Sequence, residues 1–253
     1  MRYCILASGS KGNSTFIETQ YTRILVDVGL SAKQIEDRLK KLEIDPESID
    51  SIILTHAHND HIRGVGQFAS RNKIPIYAHP DTLDEITPKL KQGQKIEPWQ
   101  GAFYIKDAFF TPFPLSHDCY PTFGYLIREN SKALAICTDL GVATENVKEH
   151  LQQSSALILE SNHDPMMLMS GTYPWRLKER IASRIGHLSN VEAGELIREI
   201  FHSYMEKIIL AHLSEDNNTA QIALDTVLEI VGNQVESFIG VIEQRRMSDM
   251  FQL

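Results

Sequence analysis

Four side chains that bind metals well fall within six residues of this 253-residue chain: His56, His58, Asp60 and His61, in the run Thr55-His56-Ala57-His58-Asn59-Asp60-His61. Imidazole nitrogens and carboxylate oxygens together suit zinc, manganese or iron. In a tight loop alternate residues can face one point, so His56 and His58 could grip one ion while Asp60 and His61 grip a second. The plain alternative is a polar surface loop that happens to hold three histidines. A bridged pair of divalent ions lowers the pKa of a bound water from 15.7 towards about 7 and polarises the attacked centre, which is hydrolytic chemistry at neutral pH.

Such a loop needs rigid elements behind it. Short apolar, β-branched runs alternate with amphipathic stretches along the chain. Tyr3–Ala7, Thr15–Glu18, Arg23–Val26, Ser51–Leu54 and Ile74–Ala78 read as strands, as do Ala108–Phe113, Tyr125–Arg128, Ala133–Thr138, Ala156–Glu160, Lys207–Ala211 and Val235–Ile242. Ser31–Leu42, with Ser31 as N-cap, Asp81–Ile86, Val191–Tyr204 and Thr219–Val231 read as helices. The histidine run follows directly on the strand Ser51–Leu54. The turn-rich Gly9–Ser14 has no Walker pattern and reads as a tight strand connection rather than a phosphate cradle. This alternation predicts an α/β domain with sheet inside and helices outside.

The run His56-Ala57-His58-Asn59-Asp60-His61 resembles the HxHxDH signature of the metallo-β-lactamase superfamily. The resemblance continues in order along almost the whole chain. Asp27, in Leu25-Val26-Asp27-Val28-Gly29, matches the acid that steadies the histidine loop. His117, in Ser116-His117-Asp118, matches the third ligand of the first metal. Asp139 matches the bridging carboxylate, and His212, in Ala211-His212-Leu213-Ser214, the last ligand of the second metal. The resemblance implies an α/β (α+β) fold, a four-layered αββα sandwich, as one domain over residues 1–253. It implies two divalent ions per chain, zinc or manganese, held by His56, His58 and His117, by Asp60, His61 and His212, and by Asp139 between them. Asp60 would also orient the attacking water. Independently, Asp27, His117, Asp139 and His212 each fall at or just after a predicted strand end or in its loop, where binding residues collect. Taken singly, the two aspartates read as turn formers and the two histidines as ordinary loop residues.

Gly186-His187-Leu188-Ser189-Asn190, Ala211-His212-Leu213-Ser214-Glu215-Asp216-Asn217-Asn218, Leu6–Ser14, Glu160-Ser161-Asn162-His163-Asp164 and Tyr173-Pro174-Trp175 resemble segments of the YycJ/WalJ family of bacterial cytoplasmic proteins. That implies a metal-dependent phosphodiesterase, a 5′-to-3′ DNA exonuclease that could serve DNA repair. His187 has no place in the ligand set; the resemblance to phosphodiesterase branches of the superfamily implies that it contacts the scissile phosphate or assists the leaving group, as a second catalytic residue beside Asp60, the plain alternative being a capping or packing residue. His163 either touches substrate or braces the site. His79, His150 and His202 lie outside any motif.

The chain carries a formal charge of −8, which argues against a protein that coats nucleic acid by electrostatics alone. Residues 173–187 nevertheless hold a net charge of +3. Arg176, Arg180 and Arg184 repeat at helical spacing, alongside Leu177, Ile181 and Ile185. One helix there would bury the apolar ridge and present the arginines to substrate phosphates, with Tyr173 and Trp175 as a stacking surface. The plain alternative is a solvated helix face with two packing aromatics. Cys4, Cys119 and Cys137 form no CxxC pair, which fits a reducing cytoplasm and leaves Cys119 as a packing residue rather than a ligand. No apolar run is long enough to span a membrane, and no signal peptide is read. The main rival is a small-molecule ester, thioester or lactone hydrolase on the same fold, which needs no basic ridge. A flavodiiron oxidoreductase would carry Glu where His58 stands, and a metal-free scaffold would need no complete ligand set.

Overall fold

The computed structural model describes residues 1–244 and 246–253. The elements, in chain order, are β1 (Arg2–Ala7), β2 (Ser14–Glu18), β3 (Arg23–Val26), α1 (Ala32–Lys41), β4 (Ser51–Ile53), α2 (Asn59–Ile62), α3 (Val65–Asn72), β5 (Ile76–Ala78), α4 (Pro80–Ile86) and β6 (Ile96–Pro98). After the β7 (Phe103–Ile105) and β8 (Ala108–Pro114) hairpin come β9 (Phe123–Glu129), β10 (Lys132–Cys137), α5 (Glu145–Leu151), β11 (Ala156–Glu160), α6 (Pro165–Ser170) and α7 (Trp175–Ile181). The chain continues through α8 (Asn190–Ile200), β12 (Lys207–Ala211), α9 (Ala220–Val231), β13 (Ile239–Val241) and β14 (Phe251–Gln252). Two compact units result. The first is Met1–Thr111 with Cys119–Pro121 and the C-terminal stretch to Leu253; the second is Pro112–Asp118 with Thr122–Gln244.

In the first unit the strands lie in the order β14-β1-β2-β3-β4-β5-β6. The β1–β2–β3 meander is antiparallel, whereas β3, β4, β5 and β6 run parallel. Parallel neighbours need long crossovers, which α1, the α2–α3 pair and α4 supply. Apolar side chains of the strands, such as Leu6, Phe16, Leu25 and Ile52, pack with Ile35 and Leu39 of α1 and Phe68 of α3. In α1, Ser31 caps the N-terminus in a reciprocal pair with Gln34, and Arg38, Lys40 and Lys41 complement the C-terminal dipole.

The second unit repeats the plan. β9 and β10 form a hairpin, and β10, β11, β12 and β13 run parallel. Their strands are near-continuous apolar runs, as expected for strands buried on both faces. Leu157, Leu159, Ile208 and Leu210 pack with Val147 of α5, Leu196 and Ile197 of α8, and Val227 of α9. In each unit, then, adjacent parallel strands end at one carboxyl edge, where open α/β sheets place their ligands.

Three expectations change in detail. The helix expected over Val191–Tyr204 is α8, which stops at Ile200, where Phe201 turns extended, and does not reach Tyr204. Residues 235–238, read as strand, form the end of a 3-10 turn over Asn233–Phe238, and only Ile239–Val241 pairs in the sheet. Val235, Phe238 and Ile239 sit at i, i+3 and i+4, a helical spacing hidden inside a short apolar run. The end of the histidine run is not loop but helix: Asp60 and His61 lie in α2, with His58 as its N-cap.

Backbone bonds clamp α2 to the first sheet. The Val28 amide donates to the His61 carbonyl at 2.9 Å, Gly64 to Val28 at 2.9 Å, and Asn13 to Asp60 at 2.8 Å. Gly29 allows this approach: a Cβ there would stand 1.7 Å from the Asp60 carbonyl oxygen and 2.5 Å from the Asn13 nitrogen. Neither backbone atom can yield without moving α2. The Gly29→Ala variant should therefore lose stability at or beyond the top of the ~1–3 kcal/mol range for overpacking. For a chain of this size that is a fall in Tm of roughly 6 °C or more. A thermal melt within about 2 °C of the parent would show that the clamp is not as tight as drawn.

Candidate metal centre

In the first unit the site is built on Asp27. It follows the last residue of β3 and adopts a left-handed backbone, φ 62°. A non-glycine residue pays about 1–2 kcal/mol for that conformation, and here it turns the carboxylate back over the strand end. Asp27 Oδ1 accepts from the Thr55 amide at 2.9 Å, and Oδ2 accepts from the Thr55 hydroxyl at 2.8 Å and from His61 Nδ1 at 2.7 Å. Having given its proton to Asp27, the Thr55 hydroxyl accepts from His56 Nδ1 at 3.0 Å. Both rings thus hold their proton on Nδ1 and present an Nε2 lone pair, the form in which histidine binds a metal. His61 Nε2 lies 3.7 Å from Asp60 Oδ2. The Asn13 amide, whose oxygen accepts from the Gly9 N–H at 2.7 Å, turns its nitrogen to His61 Nε2 at 2.9 Å. His58 is half-buried, its ring centroid 4.8 Å from that of His56.

The second unit is organised in the same way around a residue to which the sequence analysis gave no role. Glu160 ends β11 and is fully buried. Its carboxylate accepts from His212 Nδ1 at 2.6 Å and His187 Nδ1 at 2.9 Å, and from the amides of Leu140 and Leu188 at 3.0 Å each. Asp139 and His212 both adopt left-handed backbone, φ 62° and 56°, at the ends of β10 and β12. Asp139 Oδ1 stands 3.6 Å from His117 Nε2 and 3.7 Å from His212 Nε2. His117 Nδ1 donates to the Gly186 carbonyl at 3.1 Å.

These residues suit a divalent metal. Donors on one tetrahedral ion, with bonds of ~2.0–2.1 Å, lie roughly 3.3–3.4 Å apart. The 3.6–3.7 Å separations about Asp139 and between Asp60 and His61 are too long for hydrogen bonds and close to that figure. In the second unit Asp139, Glu160, His187 and His212 bring potential ligand atoms within 4.8 Å of one another. Glu160 is spent on its hydrogen bonds, and His187 turns its Nδ1 to Glu160 rather than to Asp139, from which it lies 3.9 Å away. Burial works against the charge on Glu160, but the charge on His187 and the hydrogen bonds from His187 and His212 outweigh it and hold the carboxyl at about 2. For His187 burial works against protonation, yet the Glu160 carboxylate outweighs it and the ring titrates above its ordinary value. At His117 burial wins, and the ring is pushed towards its neutral form.

The remaining candidates divide. His163 is buried at the start of α8, with its carbonyl accepting from Asn190 and its Nδ1 making no hydrogen bond. His79 caps α4, His150 bonds back to Asn146 within α5, and His202 accepts from the Tyr204 amide. Cys119 packs against the first unit's apolar core. The arginine ridge is corrected. α7 ends at Ile181, because residues 183–187 fold back on its C-terminus: Ser183 donates to Arg180 and His187 to Ile181 at 2.9 Å. A Cβ at Gly186 would meet the Ile181 carbonyl at 2.1 Å, so the return depends on glycine. Arg184 therefore lies off the helix, and Ile185 is exposed, not buried. Arg180 pairs with Asp118, while Lys178 is buried and donates to the Met169 and Gly171 carbonyls. Only Arg176 and Arg180 share the helix. Glu160 did leave a signal in the sequence: it is the one charge in the strand Ala156-Leu157-Ile158-Leu159-Glu160.

Residues 22–212 match the model of the Beta-lactamase superfamily domain. The chain is 34% identical to Exodeoxyribonuclease WalJ of Streptococcus pneumoniae, over 95% of this chain and 91% of that one. It is likewise 34% identical to Exodeoxyribonuclease YycJ of Bacillus anthracis, over 91% and 89% of the two chains. Among solved structures it resembles the metallo-β-lactamase fold protein YhfI of Bacillus subtilis with a TM-score of 0.73 over 98% of both chains, at 16% identity. The histidine run, the strand-end carboxylates and these likenesses agree: the chain has the metallo-β-lactamase fold and belongs to the metallo-β-lactamase superfamily, within it to the WalJ/YycJ family.

Proposed function

We propose that this chain is a two-metal phosphodiesterase that trims DNA from its 5′ end. The names of its WalJ and YycJ relatives support an exodeoxyribonuclease. In this reading His56, His58 and His117 would hold one ion, Asp60, His61 and His212 the other, and Asp139 would serve both. When bound, the ions, zinc or manganese, would activate water and offset the charge on the phosphate. Asp60 is placed to orient that water. Its three cysteines are free thiols, which fits the reducing cytoplasm.

The observation that carries the reading is the Glu160 node. One buried carboxylate holds His212, which the ligand set needs, and His187, which it does not. His187 is 19% exposed at its side chain, so its Nε2 edge can reach a substrate. A protonated His187, kept charged by Glu160, can give its proton to the 3′ oxygen as the phosphorus–oxygen bond breaks. Water supplies the hydroxyl that joins phosphorus, so the products are a nucleotide with a free 3′ hydroxyl and a DNA strand ending in a 5′ phosphate. Arg176, Arg180 and Arg184 remain candidate phosphate contacts, now from a short helix and the turn after it. His163 is read as a brace for the start of α8.

Two experiments test this. Elemental analysis should find about two divalent ions per chain, and His212→Ala should lower that number and abolish activity. A single tight equivalent unaffected by His212→Ala contradicts the two-ion assignment. His187→Ala should keep both ions and cut turnover of end-labelled DNA by about 10²-fold or more. The same variant should lose far less on thymidine 5′-(p-nitrophenyl phosphate), whose leaving group needs no proton. Glu160→Gln should impair metal retention as well as turnover, because it also holds His212. An equal loss on both substrates in His187→Ala would remove the proton-donor role.

A further inference from the structure

The first unit contains two cavities that the reaction just described leaves unused. One, of about 360 Å³, is lined by Lys11, Gln34, Arg38 and Arg63, with the tight Ser8–Gly12 backbone on one side. The other, of about 440 Å³, is lined by Asn59, Arg63, Gln67 and Lys89, with Ile86 and Leu90 as an apolar wall. Both volumes fall in the ~300–1,000 Å³ range of small-molecule sites. Arg63 belongs to both, so they adjoin. No carboxylate is among the described residues that line either, in a chain whose formal charge is −8.

Several arginines and lysines elsewhere in the unit are spent on acids. Arg2, Arg23, Arg71, Lys95 and Lys106 are each paired with an acid. The Arg63 guanidinium and the Lys89 ammonium make no hydrogen bond or ion pair with any described residue. Arg38 is tethered through Nη1 to the Leu6 carbonyl, which fixes the plane of its guanidinium beside the cavity. Planar guanidinium groups bind phosphate oxygens in pairs, and ammonium groups add point charge.

The cavities are also tied to the ligand set. Arg63 is two residues past His61 and forms the C-cap of α2. Lys11 is two residues before Asn13, whose amide nitrogen contacts His61 Nε2 and whose backbone N–H donates to Asp60. The two cavities thus border the same α2 helix and strand connection that carry Asp60, His61 and their partner Asn13. A small monoanion would fill one cavity; two adjoining cavities sharing one arginine match a repeating polyanion.

We propose that Lys11, Arg38, Arg63 and Lys89 form a phosphate track, separate from the metal ligands, that holds the DNA backbone beside the cleaved bond. The inference rests on the nuclease reading and adds where the substrate runs. It also explains how an acidic chain handles a polyanion: the basic surface is local and free of carboxylates.

The test uses metal-loaded His187→Ala protein, which should cut a labelled oligodeoxythymidine at least about 10²-fold more slowly than its parent, with fluorescence anisotropy read across a salt series before cleavage becomes measurable. Arg63→Gln in that background should flatten the log–log salt slope by about 0.7, and Lys11→Gln, Arg63→Gln and Lys89→Gln combined by roughly 2. Arg63→Lys should restore the slope. All three side chains are exposed, so folding should be unaffected, as a thermal melt would confirm. Oligonucleotides with a 5′ phosphate or a 5′ hydroxyl separate the sources of phosphate. A preference for the phosphate that Arg63→Gln abolishes places the strand end in the track, and equal losses place internal phosphates there. A triple variant that matches its parent in affinity and slope overturns the track, while the nuclease reading stands if unmodified enzyme cuts the DNA. If the unmodified enzyme neither cuts nor binds DNA, the nuclease reading fails first and the track falls with it.

Discussion

A buried carboxylate at the end of a parallel strand, holding the Nδ1 proton of a histidine, is the interaction on which the rest of this structure depends. It occurs once in each unit: Asp27 with His61, and Glu160 with His212. Each carboxylate also gathers backbone or hydroxyl donors, so its charge is fully solvated by the protein. A buried charge without such partners costs several kcal/mol. The arrangement fixes the tautomer and the ring direction of the histidines before any ion arrives, which lowers the cost of assembling a metal site.

The fold follows from that requirement. Parallel strands with helical crossovers end side by side, and residues just past those ends can be aimed at one place. The price is local backbone strain, taken at Asp27, Asp139 and His212, whose left-handed φ angles would favour glycine. Close backbone packing at Gly29 and Gly186 keeps α2 and the His187 turn in position. Glu160 extends the scheme from structure to reaction, since the same carboxylate that orients His212 also orients His187.

Much of this was legible in the sequence. The histidine run is dense enough to announce itself, and the resemblance to the metallo-β-lactamase superfamily singled out Asp27, Asp139 and His212, which the sequence also puts at or just after apolar strands. Glu160 was missed because a single acid closing a strand reads as the strand's polar end; only the fold shows that it is buried and shared. The arginine ridge was misread because helical spacing persists in the sequence past the point where Gly186 lets the chain turn back. Periodicity reports what a helix could present, and tertiary backbone contacts decide where it stops. The short strand at Ile239–Val241 was half hidden for a related reason, as a few apolar residues serve a 3-10 turn and a strand equally well.

The account makes the histidine tautomers the link between fold and metal chemistry. Long-range proton–nitrogen correlation spectra of the metal-free protein read those tautomers directly. His56, His61 and His212 should each carry the proton on Nδ1, with Nε2 unprotonated, and zinc should shift the Nε2 resonances while leaving the Nδ1 protons in place. Rings protonated on Nε2, or zinc binding that displaces the Nδ1 protons, would contradict the account.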